Sequence, residues 1–410
     1  MKLAGIVVAA ALALSMSACG SKSSLYGSEP LSVKMVRSEM TRHPSATTLD
    51  GIPEGGIKWN YTTGLELLAI LDVADTYGIP EMAQYVADYY DAIVREDGSV
   101  ITYKKSNYNL DHVCPGRPLF ALYERTGDER FKAVIDTLYS QLCSHPRNDD
   151  GGFWHKKAYP HQMWLDGLYM AEPFYAQYTR DVLSKCENGE ELCRQATADI
   201  ANQFVTVAKH TYDPATGLYR HACDVSREMF WCDKQTGQSK HSWDRAMGWY
   251  AMAIVETLQY MDPEGEGAKQ MIDILNGIYE VLPKYASPES GMWYQVLELP
   301  EREGNYEEAT GSIMFIYAMM KGSRLGYLPA EMRAESMRLY EKFVDRFVRL
   351  NEDGTISITD CCAVAGLGGS SMRSGDFDYY ISEPIIENDC KGVGPFIWAS
   401  LEYEKEKGMI

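Results

Sequence analysis

The stretch GLYMAEPFYAQYTRD, residues 167–181, begins with glycine and continues as an apolar, aromatic-rich segment with few charges. Apolar residues recur in it at three- and four-residue spacing on nearly every side, which is typical of a buried helix. Five other segments share the leading glycine and this composition: GLELLAILDVADTYG (64–78), GRPLFALYERTGDERF (116–131), GWYAMAIVETLQYM (248–261), GSIMFIYAMMKGSRLG (311–326) and GVGPFIWASLEYEKEKG (392–408). The repeat predicts six inner helices whose glycines allow close approach.

Amphipathic helices lie between these segments, for example EMAQYVADYYDAIVRED at 81–97, and SVKMVRSEMTRHP at 32–44 precedes the first of them. Their charged residues face away from the apolar side, so one face is expected to be exposed to solvent. Six inner helices alternating with six outer ones predict an all-α fold, an (α/α)6 barrel with a pocket at one end. The alternative is an open helical solenoid without a closed pocket.

The N-terminal residues have the features of a bacterial lipoprotein signal. Lys2 precedes the short apolar run GIVVAAALALSM, and Ser17-Ala18-Cys19 places small residues before a cysteine. We therefore expect lipidation of Cys19 and a protein anchored to the bacterial envelope, on its periplasmic or cell-surface face. The alternative is an ordinary cleaved signal that removes Cys19. The predicted organisation is a signal peptide at 1–19, a tether at 20–31 and one catalytic domain at 32–410.

The formal net charge of −19 argues against a nucleic-acid partner. Nine cysteines follow Cys19, and export would permit disulfides, with Cys186–Cys193 and Cys223–Cys232 as the short-loop candidates. The C-x-x-C spacing of zinc sites is absent, so no metal is predicted. The oligomeric state stays open.

Residues near the start of each inner segment are expected to line the mouth of the pocket. They combine aromatic rings, carboxylates, histidines and an arginine, which suits the stacking and directional hydrogen bonding of a carbohydrate site. Nucleotide-binding, G-x-S-x-G and zinc-protease motifs are absent. These mouth residues are Trp59, Tyr61, Asp111, His112, Trp164, Asp166, His241, Trp243, Asp244, Arg245, Glu307, Glu308, Thr310, Asn388, Asp389 and Lys391.

Several motifs in this chain resemble those of glycoside hydrolase family 105, the unsaturated rhamnogalacturonyl hydrolases. They are WNYTTG, LDHVCPGRPLFALYERTGD, GGFWHKKAYPHQMWLDGLYMAEPF, LYRHACD, WDRAMGW and ENDCKGVGPFIWASLE. The resemblance implies an (α/α)6 barrel that removes a 4,5-unsaturated uronic acid from the non-reducing end of an oligosaccharide. The family does so by hydrating the vinyl ether double bond, which requires an acid and water and implies no cofactor.

Two carboxylates carry the catalytic roles that the resemblance implies. Asp166 matches the general acid, and Asp111 matches the second acid of the site. A general acid must hold its proton at the working pH. The apolar neighbours of Asp166 and the like charge of Asp111 would both favour that state. The alternative for either residue is a simple helix cap.

The substrate-binding residues that the resemblance implies are His221, His155, Trp243, Arg245, Trp249, Trp164, Tyr61 and Met170. We expect His221 and His155 to hydrogen-bond the sugar or the attacking water. The guanidinium of Arg245 suits the uronate carboxylate, with a structural ion pair to a neighbouring Asp as the alternative. Met170 is more typical of packing than of chemistry.

Three other functions remain open at this level. Related unsaturated glucuronyl hydrolases act on glycosaminoglycan fragments with the same barrel and the same acid. A non-catalytic lipoprotein could capture oligosaccharides with the aromatic residues and Arg245, but would have no use for two acids. A conventional glycosidase could pair Asp166 with Asp111 or Glu308.

Overall fold

The computed structural model describes residues 29–410. The predicted signal peptide, Cys19 and most of the predicted tether lie outside these residues and stay predictions. Within the described part of the chain, no helix has both the length and the apolar character needed to cross a membrane. The first helix begins at Leu31, so the chain is already packed one residue before the predicted start of the domain.

Thirteen α-helices account for most of residues 29–410. In chain order they are α1 (Leu31–Arg42), α2 (Tyr61–Tyr77), α3 (Pro80–Ile93), α4 (Pro118–Thr126), α5 (Glu129–Cys143), α6 (Leu165–Asp181), α7 (Gly189–Thr211), α8 (Asp244–Leu258), α9 (Glu266–Val281), α10 (Ala309–Arg324), α11 (Met332–Phe347), α12 (Phe377–Ser382) and α13 (Cys390–Glu406). The predicted inner segments correspond to α2, α4, α6, α8, α10 and α13.

The inner helices form a closed ring. Helix α8 packs between α6 and α10, and α13 packs between α10 and α2, so the last inner helix meets the first. All residues of α8 are buried, whereas α9 buries only one face, which is the pattern expected of inner and outer helices. The (α/α)6 barrel is therefore confirmed, and the open solenoid is excluded.

Three short antiparallel strand pairs lie in the connections between helices. They are β1 (Gln162–Trp164) with β2 (Ala222–Asp224), β3 (Val348–Leu350) with β4 (Ile356–Ile358), and β5 (Cys361–Cys362) with β6 (Ile385–Ile386). Strand β1 continues directly into α6, and its register pairs Trp164 with Ala222. This register brings His221, just before β2, beside the first turn of α6.

Gly64 shows why the inner segments carry glycine. A methyl group built on Gly64 would lie 2.5 Å from Pro115 Cβ and also overlap Pro115 Cα, in the turn before α4. Backbone atoms of this kind cannot move aside without displacing the turn.

We expect Gly64→Ala to lower the free energy of unfolding by about 1–3 kcal/mol, as overpacking of a tight core does. Gly277→Ala is the matched control, because a methyl group there, in outer helix α9, meets nothing within 4 Å. That control should stay within about 1 kcal/mol of wild type or gain stability. Urea unfolding of both variants makes the comparison. Equal stability of the two would contradict this account of the inner glycines.

The cysteine pairings expected from sequence are not formed. All nine cysteines among the described residues are free thiols. The Cys186 and Cys193 thiols point to separate main-chain carbonyls, those of Val182 and Thr179, at 3.6 and 3.5 Å. The two cysteines are close in sequence but form no disulfide, because each thiol faces a different main-chain carbonyl.

Candidate active site

The N-terminal ends of the inner helices and the loops before them bring the predicted acids and rings together. Asp166 lies in the first turn of α6, directly after β1. Asp111 lies in the 3₁₀ turn Leu110–His112, and the main-chain N–H of Leu110 donates to the carbonyl of His155 at 3.1 Å. That hydrogen bond joins the loop that carries Asp111 to the loop that carries His155, on the same side of the barrel.

Asp166 faces His221. Its Oδ2 lies 3.3 Å from His221 Nε2, while the side chain of Asp166 is 15% exposed and that of His221 is fully buried. The two atoms are not aligned as a hydrogen bond, so each is buried without a hydrogen-bond partner. Buried polar atoms of this kind are rare in folded proteins. The pair is therefore available to a substrate or water oxygen.

Asp111 has the opposite surroundings. Its two carboxylate oxygens lie 3.2 Å from His155 Nε2 and 3.0 Å from Lys156 Nζ. Burial by itself would raise the pKa of Asp111, but the charges and hydrogen bonds of Lys156 and His155 outweigh it and hold this pKa well below its ordinary value. Asp111 is therefore an anion at any working pH.

Gly167 is the point where the histidine partner of Asp111 approaches the helix that carries Asp166. A methyl group on Gly167 would lie 3.0 Å from His155 Nδ1 and 3.1 Å from Leu110 Cδ1. The ring of His155 can cover the start of α6 only because this position lacks a side chain. The partner of Asp111 is thus packed against the residue that follows Asp166.

Aromatic rings form one wall. The Trp164 ring lies between His155 and Tyr159, with centroid distances of 5.0 and 5.6 Å and ring planes within 12° of parallel. Its edge meets His221 at 5.1 Å, and Trp243 meets the same histidine at 4.9 Å. His221 is therefore held between two tryptophans.

The partly buried Tyr61 meets the buried Trp249 edge to face, with ring centroids 6.3 Å apart. Burial and the nearby carboxylates of Asp111, Asp389 and Asp166 raise the pKa of Tyr61 well above its ordinary value, so its hydroxyl keeps its proton. Because Asp111 and Asp166 both raise the pKa of this hydroxyl, Tyr61 is close enough to interact electrostatically with both predicted acids.

Comparison with known proteins identifies the family. The model of Glycosyl Hydrolase Family 88 matches residues 31–407. The chain belongs to Glycosyl Hydrolase Family 88. It is also similar to a family 105 glycoside hydrolase from Clostridium acetobutylicum ATCC 824, with 39% identity and a TM-score of 0.85 over 92% of this chain and 100% of that chain. The resemblance found from sequence is confirmed, and the protein is a glycoside hydrolase.

Two further relatives complete the comparison. Protein Atu3128 of Agrobacterium fabrum is 34% identical over 210 residues, which are 50% of this chain and 89% of that protein. An unsaturated glucuronyl hydrolase from Bacillus sp. GL1, responsible for the degradation of glycosaminoglycan, is 11% identical with a TM-score of 0.63, covering 92% of this chain and 95% of that chain. At this identity the second likeness shows the fold alone.

Arg245 of this glycoside hydrolase is 1% exposed and surrounded by protein groups. Its Nε donates to Thr310 Oγ1 at 2.6 Å, its terminal nitrogens donate to the carbonyls of Cys362 and Ala363, and Glu308 Oε1 lies 3.6 Å away. An ion pair is present, but its partner is Glu308 and not the neighbouring Asp that sequence suggested. Contact between Arg245 and the uronate stays a prediction.

Other predicted residues contact protein groups. Met170 is 1% exposed and packs in the core, as its residue type suggested. Trp59 is also buried, and its indole donates to the carbonyl of His112 at 2.8 Å, so it supports the loop that carries Asp111. His241 Nδ1 donates to the carboxylate of Glu298 at 2.9 Å.

Sequence reasoning missed Lys156 and Tyr380. Lys156 is adjacent to His155. In so acidic a chain, a lysine next to a predicted site residue could have indicated that Lys156 also belongs to the site. Tyr380 hydrogen-bonds His221 Nδ1 at 2.7 Å from a position 159 residues further along the chain, which no local pattern reveals. Within residues 29–410, no group of three or more His, Cys, Asp or Glu side chains is arranged to hold a metal ion.

The ion pair of Asp111 with Lys156 leads to a pH prediction. Removing the ammonium group removes a lowering influence, so Lys156→Gln should raise the pKa of Asp111. If the anion of Asp111 is required, kcat/KM falls as pH decreases through this pKa. Lys156→Gln should therefore lose kcat/KM at acidic pH values at which Asp111 of the wild type is still an anion.

Lys157→Gln is the matched control, because the neighbouring Lys157 is exposed and its Nζ lies over the Tyr108 ring at 5.8 Å. Profiles of kcat/KM against pH for both variants provide the test. An acidic limb that stays in place in Lys156→Gln would show that the charge of Asp111 is not needed.

Proposed function

We propose that this glycoside hydrolase removes 4,5-unsaturated galacturonic acid from the non-reducing end of rhamnogalacturonan oligosaccharides, by hydrating the double bond. One observation carries the proposal. Two carboxyl groups of the same pocket have opposite surroundings, since Asp111 is paired with Lys156 and His155 while Asp166 has an oxygen without a hydrogen-bond partner. The pairing holds Asp111 as an anion, which leaves Asp166 as the proposed proton donor.

The reaction adds one water molecule to the sugar. Asp166 gives its proton to C4, and positive charge develops on C5 and the ring oxygen. Water then attacks C5 and returns a proton to the pocket, where the Asp166 carboxylate can accept it. The hemiketal that results opens and releases the aglycone. Asp111, as a fixed anion, stabilises the developing charge or orients the water.

The aromatic rings support the pocket from behind. Trp164, stacked between His155 and Tyr159, and the buried Trp243 flank His221 and hold it in place beside Asp166. The galacturonate assignment is supported by the family 105 resemblance, because the 39% identity to a family 105 hydrolase spans the whole of that chain. The glucuronyl alternative rests on likenesses of fold.

The test follows the ultraviolet absorbance of the conjugated double bond. The protein is incubated with an unsaturated rhamnogalacturonan disaccharide and, in parallel, with an unsaturated chondroitin disaccharide. Loss of absorbance with the first alone supports the proposal, and loss with the second alone assigns the enzyme to glucuronyl substrates. No loss with either substrate contradicts the hydration proposal.

Reaction in D₂O separates hydration from conventional hydrolysis. Hydration places deuterium at C4 and removes the chromophore. Displacement at the anomeric carbon instead releases a sugar that keeps its double bond. Mass spectrometry of the released uronate distinguishes the two, and an intact chromophore on the product would exclude the mechanism given above.

We further propose that the enzyme is anchored to the bacterial envelope through lipidated Cys19, on the basis of the signal-like sequence before it. Cys19→Ser should shift the protein from the membrane fraction to the soluble fraction and abolish labelling by a radioactive fatty acid. Unchanged fractionation and labelling would contradict the anchor.

A further inference from the structure

Tyr380 lies behind the pocket, where the described structure fixes it on several sides. It belongs to the short helix α12, which Asp376 caps by accepting a hydrogen bond from Tyr379 N at 3.0 Å. The carbonyl of Tyr380 accepts from Gln295 Nε2 at 3.0 Å, and Gln295 Oε1 in turn accepts from the Trp243 indole at 2.9 Å. Tyr380 is fully buried, and its hydroxyl is directed to His221.

The hydroxyl of Tyr380 lies 2.7 Å from His221 Nδ1. Burial, together with Tyr379 and the charge of Asp166, raises the pKa of Tyr380 well above its ordinary value, so the phenol keeps its proton. Among the hydrogen bonds of residues 29–410, the one to His221 is the only one that this hydroxyl makes. A buried O–H requires an acceptor, so the phenol donates and Nδ1 accepts.

This direction determines the other ring nitrogen. When Nδ1 of a neutral imidazole accepts a hydrogen bond, the ring proton lies on Nε2. His221 Nε2 faces the pocket, 3.3 Å from Asp166 Oδ2 and without an aligned partner. The histidine would then present an N–H donor beside the acid, and would have no lone pair with which to compete for the acid's proton.

We propose that Tyr380 is a positioning residue that keeps the proton of neutral His221 on Nε2, so that His221 donates to the substrate or water beside Asp166. The role of this N–H donor in the reaction rests on the proposed function. The tautomer itself is a property of the free enzyme and does not depend on the identity of the substrate.

Two-dimensional ¹⁵N–¹H correlation through the ring carbons reports histidine tautomers directly. The chain has eight histidines, and the spectrum of His221→Gln assigns the signal of His221 by its disappearance. We expect the Nε2–H pattern in the wild-type enzyme without substrate. Tyr380→Phe keeps the ring and removes the hydroxyl, and it should lose this single pattern.

The kinetic expectation for Tyr380→Phe is a decrease in kcat on the order of 10-fold to 100-fold, as for a misplaced catalytic group. KM should change by less than about 3-fold, because the lost interaction acts after binding. Tyr379→Phe is the matched control: the Tyr379 hydroxyl accepts from Gly366 N at 3.0 Å and does not contact His221. The control should keep both the tautomer and kcat.

Two outcomes would overturn the proposal. One is an Nδ1–H pattern for His221 in the wild-type enzyme. The other is a Tyr380→Phe variant that keeps the Nε2–H pattern, whether its kcat is unchanged or falls through lost stability alone. If instead the tautomer responds as expected and neither disaccharide is a substrate, the positioning role stands and only the proposed function fails.

Discussion

Asp166→Asn is expected to lower kcat on an unsaturated rhamnogalacturonan disaccharide by about 10³-fold to 10⁴-fold, near the upper limit for general acid catalysis. The amide has nearly the same shape as the carboxyl group but cannot transfer a proton to C4. Binding should persist, because the aromatic wall and His221 remain in place. The measurement is kcat and KM from the decrease in absorbance, with calorimetry for binding to the inactive variant.

Asp181→Asn serves as the control for this variant. Asp181 is the last residue of the same helix, and its carboxylate pairs with Arg180 at 2.7 Å. The control should keep wild-type activity. An Asp166→Asn enzyme with most of its activity would exclude Asp166 as the acid and favour a different proton donor in the pocket.

Asp111→Asn should lower kcat by about 10²-fold to 10³-fold, the usual cost of removing one preorganised electrostatic group from an active site. The variant loses an anion and leaves Lys156 Nζ and His155 Nε2, at 3.0 and 3.2 Å, without their carboxylate. The remaining positive charge would oppose the oxocarbenium-like transition state. Steady-state kinetics across a pH series measures both the rate and the shape of the acidic limb.

Two further variants accompany Asp111→Asn. Exposed Asp97, whose carboxylate caps its own turn by accepting from Ser99 N at 2.9 Å, provides the control Asp97→Asn. The double variant of both acids should be little slower than Asp166→Asn alone, because the two groups act as a unit. Independent, multiplying effects would contradict a shared step.

Local sequence patterns predicted the architecture well because burial determines it. Helices whose residues are apolar on every side can only lie inside a ring, and α8, with every residue buried, is the clearest case. The leading glycines likewise predicted close approach, and Gly64 against Pro115 shows it. The acids and rings at the helix starts could be predicted to converge because the inner helices share one direction.

The residues that each side chain contacts in the fold could not be predicted from local sequence patterns. Arg245 meets Glu308 and Thr310 from a different inner helix, where sequence suggested an aspartate neighbour or the substrate. Tyr380 reaches His221 from a short helix far along the chain. Such contacts depend on how loops of unrelated sequence return to the same end of the barrel.

The sequence by itself determined the ring of helices, the end at which the pocket lies and the two acids, because each follows from residue periodicity or from a motif of adjacent residues. The tertiary structure alone decided that Asp111 lies against Lys156 and His155, which hold it as an anion, and that Asp166 faces His221. Distances between loops exist only after the chain has folded.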